Sequence, residues 1–223
     1  MKRLRGCLFF DLDGTILDSL PGVEFSVRAA FDSCGFPLHS TSLRQLIGPP
    51  IRTILSRAGE IADGDVLDQL ESAFRKSYDT EGWRKTVCFP DAHRVLQAMH
   101  SSGHRQFVVS NKPRHISLRI LENEAILDLF EAILTSDSRS PAFPGKAEMI
   151  DLLMTEYGIG AENCLFVGDT IEDAQAAASA GIGFVYMTHG YGEVVETPNL
   201  PVALRCDGFL QLLPYLIQEP VCD

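Results

Sequence analysis

One pattern recurs five times along the chain and constrains the fold more than any other feature. A short apolar run ends in small or polar residues, and segments with helical spacing of apolar residues separate most of these runs. The runs cover residues 8–10, 106–109, 132–134, 164–167 and 183–187. Strands that alternate with helices in this way predict βαβ units. We therefore expect an α/β fold, a doubly wound parallel sheet covered by helices on both faces.

The helical segments fall into two groups. Those between the predicted strands cover residues 92–99, 116–121, 149–153 and 174–180, and a last helix is predicted over 209–217. Residues 19–85 break the alternation, because they contain no candidate for a buried strand but four helical stretches, at 23–31, 43–47, 51–58 and 66–78. We therefore expect a helical domain over 19–85, inserted into a core formed by 1–18 and 86–223.

Composition limits the partners of the protein. The 223 residues include 19 Lys and Arg against 30 Asp and Glu, so the net charge of −11 disfavours nucleic acid and acidic membrane surfaces. The apolar stretch at residues 7–10 is too short for a secretion signal, and no segment approaches the roughly 20 apolar residues of a membrane span. The six cysteines, Cys222 among them, show no zinc or dithiol spacing. We expect a cytoplasmic protein with reduced thiols.

Carboxylates follow two of the predicted strands. Asp11 and Asp13 come directly after the first strand, and Asp169 follows the fourth, with Asp173 one helical turn later. The carboxyl ends of parallel strands line the binding crevice of such a sheet. Each segment alone has a structural explanation, since Asp-Gly is common in turns and acids near a helix start complement the helix dipole. Together they predict a site for a hard cation.

These segments resemble the motifs of a known family. Phe10-Asp11-Leu12-Asp13-Gly14-Thr15 is similar to the first motif of the haloacid dehalogenase superfamily in its phosphatase form. Ser110-Asn111-Lys112, Lys146 and residues 168–173 resemble the later motifs in the family's order, so that the similarity runs from residue 9 to about residue 192. The resemblance implies a catalytic core with a helical cap at 19–85, and the phosphoglycolate phosphatase branch is the most similar.

The resemblance also implies a mechanism. Asp11 would be the nucleophile that forms an aspartyl phosphate, and Asp13 the general acid and base. Mg²⁺ would be bound by Asp11, the backbone carbonyl of Asp13 and Asp169, with Asp173 either a further ligand or a support that orients Lys146. Lys146 would offset charge on the phosphoryl oxygens.

Other residues are expected around the substrate, a small phosphorylated metabolite such as 2-phosphoglycolate. Ser110, Asn111 and Lys146 would bind the phosphate, and a cap would exclude water. Arg52 and Lys112 are candidates for substrate specificity. For Arg52 the alternative is an ordinary helical arginine that faces solvent.

Asp13 favours phosphoryl transfer over dehalogenation, because the dehalogenases of the superfamily lack the second aspartate. Three alternatives to a phosphatase remain open at this point. A sugar-phosphate mutase resembling β-phosphoglucomutase would share the aspartate pair and the helical cap, and a pyrophosphatase or phosphonate-cleaving relative is a further enzyme class. A regulatory phosphate-binding module would keep the fold without turnover. The sequence leaves the substrate and the choice between monomer and dimer undecided.

Overall fold

The computed structural model describes residues 6–40, 42–195 and 197–216. Cys222 and the predicted helix end at Ile217 lie outside the described residues. In chain order the strands are β1 (Cys7–Phe10), β2 (Leu17–Asp18), β3 (Val87–Cys88), β4 (Arg105–Ser110), β5 (Ala132–Thr135), β6 (Cys164–Gly168), β7 (Gly183–Met187) and β8 (Leu204–Cys206). The helices are α1 (Leu20–Cys34), α2 (Ile51–Gly59), α3 (Asp65–Thr80), α4 (Ala92–Ser101), α5 (Arg114–Asn123), α6 (Lys146–Glu156), α7 (Ile171–Ser179) and α8 (Leu213–Leu216).

Six strands form one parallel sheet in the order β5-β4-β1-β6-β7-β8. The five predicted strands are all present. The sixth, β8, was not predicted, because three residues with an arginine in the middle give no apolar run. β1 lies in the centre, between β4 and β6. The segment that follows β1 therefore emerges in the middle of the row formed by the carboxyl ends of the strands.

Helices cover both faces of this sheet, as the alternation of side chains along β1 requires. Leu8 and Phe10 belong to one buried apolar cluster, which includes residues of α4 and α5. Cys7 and Phe9 belong to a second cluster, which includes residues of α6 and α7. Both clusters exclude water from β1, which accounts for its uninterrupted apolar sequence. The α/β, doubly wound fold is confirmed.

The described residues between β2 and β3, 19–40 and 42–86, are largely helical, and we call this segment the helical insert. It contains α1, α2 and α3 together with short 3₁₀ helices at Arg44–Leu46 and Gly82–Lys85. The helix predicted at 43–47 is reduced to the first of these 3₁₀ turns. β2 and β3 pair antiparallel, so that the two connections between insert and core lie side by side.

The end of the described chain also differs from the prediction. A 3₁₀ helix at Phe209–Leu212 precedes the four-residue α8, where one longer helix was predicted. Within the described residues, none of the helices combines the length and the apolar character needed to cross a bilayer.

Candidate active site

Three carboxylates meet at the carboxyl end of the central strands. Asp11 continues β1, and its backbone N–H donates to the carbonyl of Val167 in β6 at 3.0 Å. Asp169 directly follows β6, and Asp173 lies in the first turn of α7. Each offers a carboxylate oxygen, and these oxygens lie within 4.8 Å of one another. The parallel pairing of β1 with β6 therefore brings together groups that are 158 and 162 positions apart in sequence.

These carboxylates are buried, and burial disfavours their charged form. Burial raises the pKa of Asp11 to about 7, and Asp173 and Asp169 add to the rise while Lys146 opposes it. Burial likewise raises the pKa of Asp169 to about 6, with Asp173 adding to it and the backbone N–H groups of Tyr191 and Gly192 opposing it. A cation bound between the carboxylates would relieve both penalties. Oxygen ligands clustered in this way fit a hard divalent ion.

Lys146 provides the permanent positive charge in this cluster. Its Nζ lies 2.8 Å from Oδ1 of Asp11 and 2.6 Å from Oδ1 of Asp173, and its side chain is 7% exposed. The two carboxylates overcome the effect of burial, which alone would lower the lysine pKa, so the pKa of Lys146 lies above its ordinary value. Lys146 is also the first residue of α6, where a positive charge opposes the helix dipole. The acidic cluster accounts for a lysine at this unfavourable position.

Asp173 has a structural role and a site role together. Its Oδ2 accepts hydrogen bonds from the backbone N–H of Asp169 at 3.2 Å and from the N–H and hydroxyl of Thr170 at 3.0 and 2.7 Å. Thr170 accepts in return from the N–H of Asp173, which completes a capping box at the start of α7. The capping box fixes the Asp173 carboxylate through Oδ2, so that Oδ1 remains available to bind Lys146.

Asp13 lines the same cleft as Asp11, and its side chain is 25% exposed. Its carboxylate accepts from Nζ of Lys112 at 2.9 Å, and the same ammonium donates to the hydroxyl of Tyr78 at 2.8 Å. Lys112 follows β4, whereas Tyr78 lies in α3 of the insert. No local signal in the apolar stripe of α3 indicates that Tyr78 contacts Lys112.

Ser110 and Asn111 lie where β4 ends. The Ser110 side chain is buried, and its hydroxyl accepts from the backbone N–H of Lys112 at 3.3 Å. The carbonyl of Asn111 accepts from the Ser136 hydroxyl at 3.2 Å. Both residues line the same cleft as Asp11, Asp13 and Lys146.

This cleft has a volume of about 880 Å³ and separates the acidic cluster from the helical insert. The insert contributes an apolar wall, which includes Val23, Ile54 and Phe74. Arg52 also lines the cleft, but it is paired with three carboxylates of the insert: Asp63, Asp68 and Glu71. The charge of the Arg52 guanidinium is thus already balanced by neighbouring carboxylates.

Three residues of the site were not predicted. Thr15 donates its hydroxyl hydrogen to Oδ1 of Asp169 at 3.0 Å. Tyr191 donates its backbone N–H to Oδ2 of the same carboxylate at 2.8 Å. Arg44 donates to the carbonyl of Gly190, in the loop at 188–192 that contains Tyr191. Two of these residues carry a signal in the sequence that could have identified them as site residues: Thr15 belongs to the first motif, and Tyr191 follows the strand β7. Arg44 has no such signal.

The chain matches known proteins over nearly its whole length. The model of the family described as haloacid dehalogenase-like hydrolase matches residues 8–187. A protein named phosphoglycolate phosphatase from Cereibacter sphaeroides is 34% identical over 93% of this chain and 97% of its own. A second protein of that name, from Nitrosococcus oceani, is 28% identical over 98% of this chain and 99% of its own.

Solved structures share the fold. A protein from Haemophilus somnus, described as a predicted phosphoglycolate phosphatase, superposes with a TM-score of 0.83 at 25% identity, over 96% of this chain and 99% of that one. A haloacid dehalogenase-like hydrolase from Streptococcus pneumoniae superposes with a TM-score of 0.84 at 24% identity, over 95% and 98% of the two chains. The second likeness bears on the fold alone.

Proposed function

The chain belongs to the haloacid dehalogenase-like hydrolases, and from this membership we propose that it is a magnesium-dependent phosphatase of small metabolites, acting through an aspartyl phosphate. The names of its curated relatives place it among the phosphoric monoester hydrolases. One observation carries the mechanism: the buried Asp11 carboxylate lines a cleft, with Lys146 at 2.8 Å and with a second carboxylate, Asp13, in the lining of the same cleft. A cytoplasmic location, expected from composition, is part of the same proposal.

Two aspartates divide the reaction into two steps. An Asp11 oxygen attacks phosphorus, the bond from phosphorus to the ester oxygen breaks, and the leaving oxygen takes a proton from Asp13. Water then attacks phosphorus, the bond between phosphorus and the Asp11 oxygen breaks, and the attacking water gives a proton to Asp13. The products are an alcohol and inorganic phosphate, and both aspartates return to their starting states.

Positive charge allows a carboxylate to approach a phosphate dianion. Lys146 contacts Asp11 and is held in place by Asp173, and it would direct its remaining hydrogen toward the phosphoryl oxygens. A divalent ion, bound by Asp11, the Asp13 carbonyl and Asp169, would supply further neutralisation of charge when present. Asp173 supports Lys146 and is not a direct ligand of the divalent ion in this proposal. Its oxygens already accept hydrogen bonds from Lys146 and from the cap at the start of α7.

The remaining walls of the cleft bind and enclose the substrate. Ser110 and Asn111 would donate to the phosphate from the end of β4. The insert at 19–85 acts as a cap, with hinges at 18–20 and 84–87, and excludes bulk water when it closes. The names of the relatives favour 2-phosphoglycolate as substrate. Lys112 is already paired with Asp13, and the charge of Arg52 is already matched by acids of the insert.

A nucleophile variant tests the proposal. We expect wild type to release phosphate from 2-phosphoglycolate only with Mg²⁺, and Asp11→Asn to lower turnover at least about a thousandfold, because the amide cannot take the phosphoryl group. Asp151→Asn, an exposed change on α6, is the matched control. Phosphate release and product identity are followed together. Turnover of Asp11→Asn above a tenth of wild type contradicts the nucleophile, and an isomerised phosphate ester in place of free phosphate contradicts hydrolysis.

A further inference from the structure

The loop at 188–192, between β7 and the segment that leads to β8, holds the Asp169 carboxylate. The backbone N–H groups of Tyr191 and Gly192 donate to its Oδ2 at 2.8 and 3.2 Å. The loop also packs against Asp169 directly, since a Cβ added at Gly190 would lie 2.2 Å from the Cβ of Asp169. Together with the Thr15 hydroxyl, which donates to Oδ1, the position of this loop therefore sets the orientation of Asp169.

The helical insert binds the same loop through one side chain. Arg44, in the 3₁₀ turn of the insert, donates to the carbonyls of His189 and Gly190 at 2.9 and 2.7 Å. Its guanidinium also lies 5.2 Å from the centre of the Tyr191 ring. Hydrogen bonds from an ionised group are stronger than neutral ones. Because Arg44 binds two successive carbonyls, it restricts both the position and the orientation of the loop relative to the insert.

The other end of Tyr191 reaches the connection between core and insert. Its hydroxyl donates to Oδ1 of Asp18 at 2.7 Å and accepts from the backbone N–H of Leu20 at 3.0 Å. Leu20 is the first residue of α1, so this hydroxyl joins the loop to the start of the insert. Tyr191 thus contacts the hinge with its side chain and Asp169 with its backbone.

We propose that Arg44 and Tyr191 are positioning residues that couple the placement of the helical insert to the orientation of Asp169, and thereby to divalent metal affinity. The step to the metal rests on the proposed function, but the step to the loop does not. When the insert moves away from the core, Arg44 leaves the two carbonyls and the N–H groups of the loop are no longer held on Asp169. Coupling of this kind is reciprocal, so bound metal favours the seated insert to the same extent.

Two measurements on Arg44→Gln test the proposal without relying on catalysis. The first is hydrogen exchange of the Tyr191 and Gly192 amides by NMR, in the metal-free protein. The second is the dissociation constant of Mn²⁺ by electron paramagnetic resonance. We expect exchange to be about fivefold faster and Mn²⁺ to bind about fivefold more weakly, the size that follows from losing one net hydrogen bond. The fraction of activity lost should be larger at low than at saturating Mg²⁺.

Matched variants separate positioning from folding. Arg57→Gln makes the same charge change at an exposed position of α2 and should leave both measurements unchanged. Arg44→Lys should give intermediate values, because it keeps the charge but lacks the planar guanidinium that lies over the Tyr191 ring. Tyr191→Phe keeps the backbone N–H but loses the hinge contact, and should also weaken Mn²⁺ binding. Melting temperatures of all variants identify any that lose stability globally.

The outcomes distinguish this proposal from the proposed function. If Arg44→Gln and Tyr191→Phe, both folded, exchange amides and bind Mn²⁺ as wild type does, the coupling is wrong whatever reaction the protein catalyses. If the two variants behave as expected but wild type hydrolyses no phosphate ester, the coupling stands and the proposed function fails.

Discussion

At the scale of single residues, Lys112 connects the expected acid of the reaction to the helical insert. Its ammonium group is buried between Asp13 and Tyr78, with its side chain 5% exposed. Burial acts to lower its pKa, but Asp13 and Tyr78 overcome this effect, so the pKa lies above its ordinary value and the group stays charged. A charge held in this way orients the Asp13 carboxylate. It was predicted as a specificity residue, and the contacts favour a role that does not depend on the substrate.

Substitution of Lys112 by Met separates these two roles. If Lys112 orients Asp13, kcat falls about tenfold or more for 2-phosphoglycolate and for an aryl phosphate alike, as is usual when a support of a catalytic group is lost. Tyr78→Phe keeps the ammonium and removes one of its partners, and should give a smaller loss of kcat. Steady-state kinetics on both substrates provide the measurement. A rise of KM confined to 2-phosphoglycolate, with kcat retained, would assign Lys112 to substrate binding instead.

At the scale of elements, the start of α7 determines how the site is held together. The capping box between Thr170 and Asp173 satisfies N–H groups that a helix terminus leaves unpaired. The same Asp173 carboxylate binds Lys146 at 2.6 Å, and Lys146 starts α6. The first turns of two helices are thereby joined through one ion pair. Local helix chemistry and the geometry of the site are thus inseparable at this position.

Thr170→Ala tests that connection. We expect a loss of about 1 kcal/mol in the free energy of unfolding, the usual cost of an N-cap, together with lower activity because Asp173 is less firmly held. Thr170→Ser keeps the hydroxyl and should preserve both properties. Urea unfolding and phosphate release measure the two effects. Activity equal to wild type in a Thr170→Ala protein that has lost stability would show that Lys146 does not depend on the cap.

At the scale of the whole molecule, the site opposes folding when no cation is bound. The chain carries a net charge of −11 and also buries Asp11 among acids. The pKa of Asp11 is about 7 in the folded protein, against 3.8 for the free side chain. Between these values the folded state binds more protons than the unfolded state, so stability falls as pH rises and levels off above about pH 7. The site therefore destabilises the protein most where Asp11 is ionised.

Asp11→Asn removes this titration. In metal-free protein we expect the stability of the variant relative to wild type to be higher at pH 8 than at pH 5.5, where Asp11 is largely protonated in the folded state. Mg²⁺ at pH 8 should stabilise wild type more than the variant, because binding to the folded state alone adds to stability. Urea unfolding in EDTA or in Mg²⁺ gives both differences, with Asp151→Asn as control. A difference that does not change with pH would mean that Asp11 is already ionised at pH 5.5.

The sequence by itself determined the elements of the core and the chemistry of the strand ends. Apolar runs that end in polar residues are local patterns, so the five predicted strands, the parallel sheet and the position of Asp11 and Asp169 at one edge could be inferred from them. β8 and the 3₁₀ turn at Arg44–Leu46 were missed or mistaken for a helix, because segments of three residues carry too little periodicity.

Only the tertiary structure decided which side chains meet across the cleft. Lys112 contacts Asp13 and Tyr78 at separations of 99 and 34 positions, and Arg44 contacts the loop at 188–192 from 145 positions away. No local pattern encodes such contacts, since they depend on how the insert seats on the core. The physical reason is that periodicity reports which face of an element is buried, whereas the pairing of buried charges depends on packing between elements that are distant in the chain.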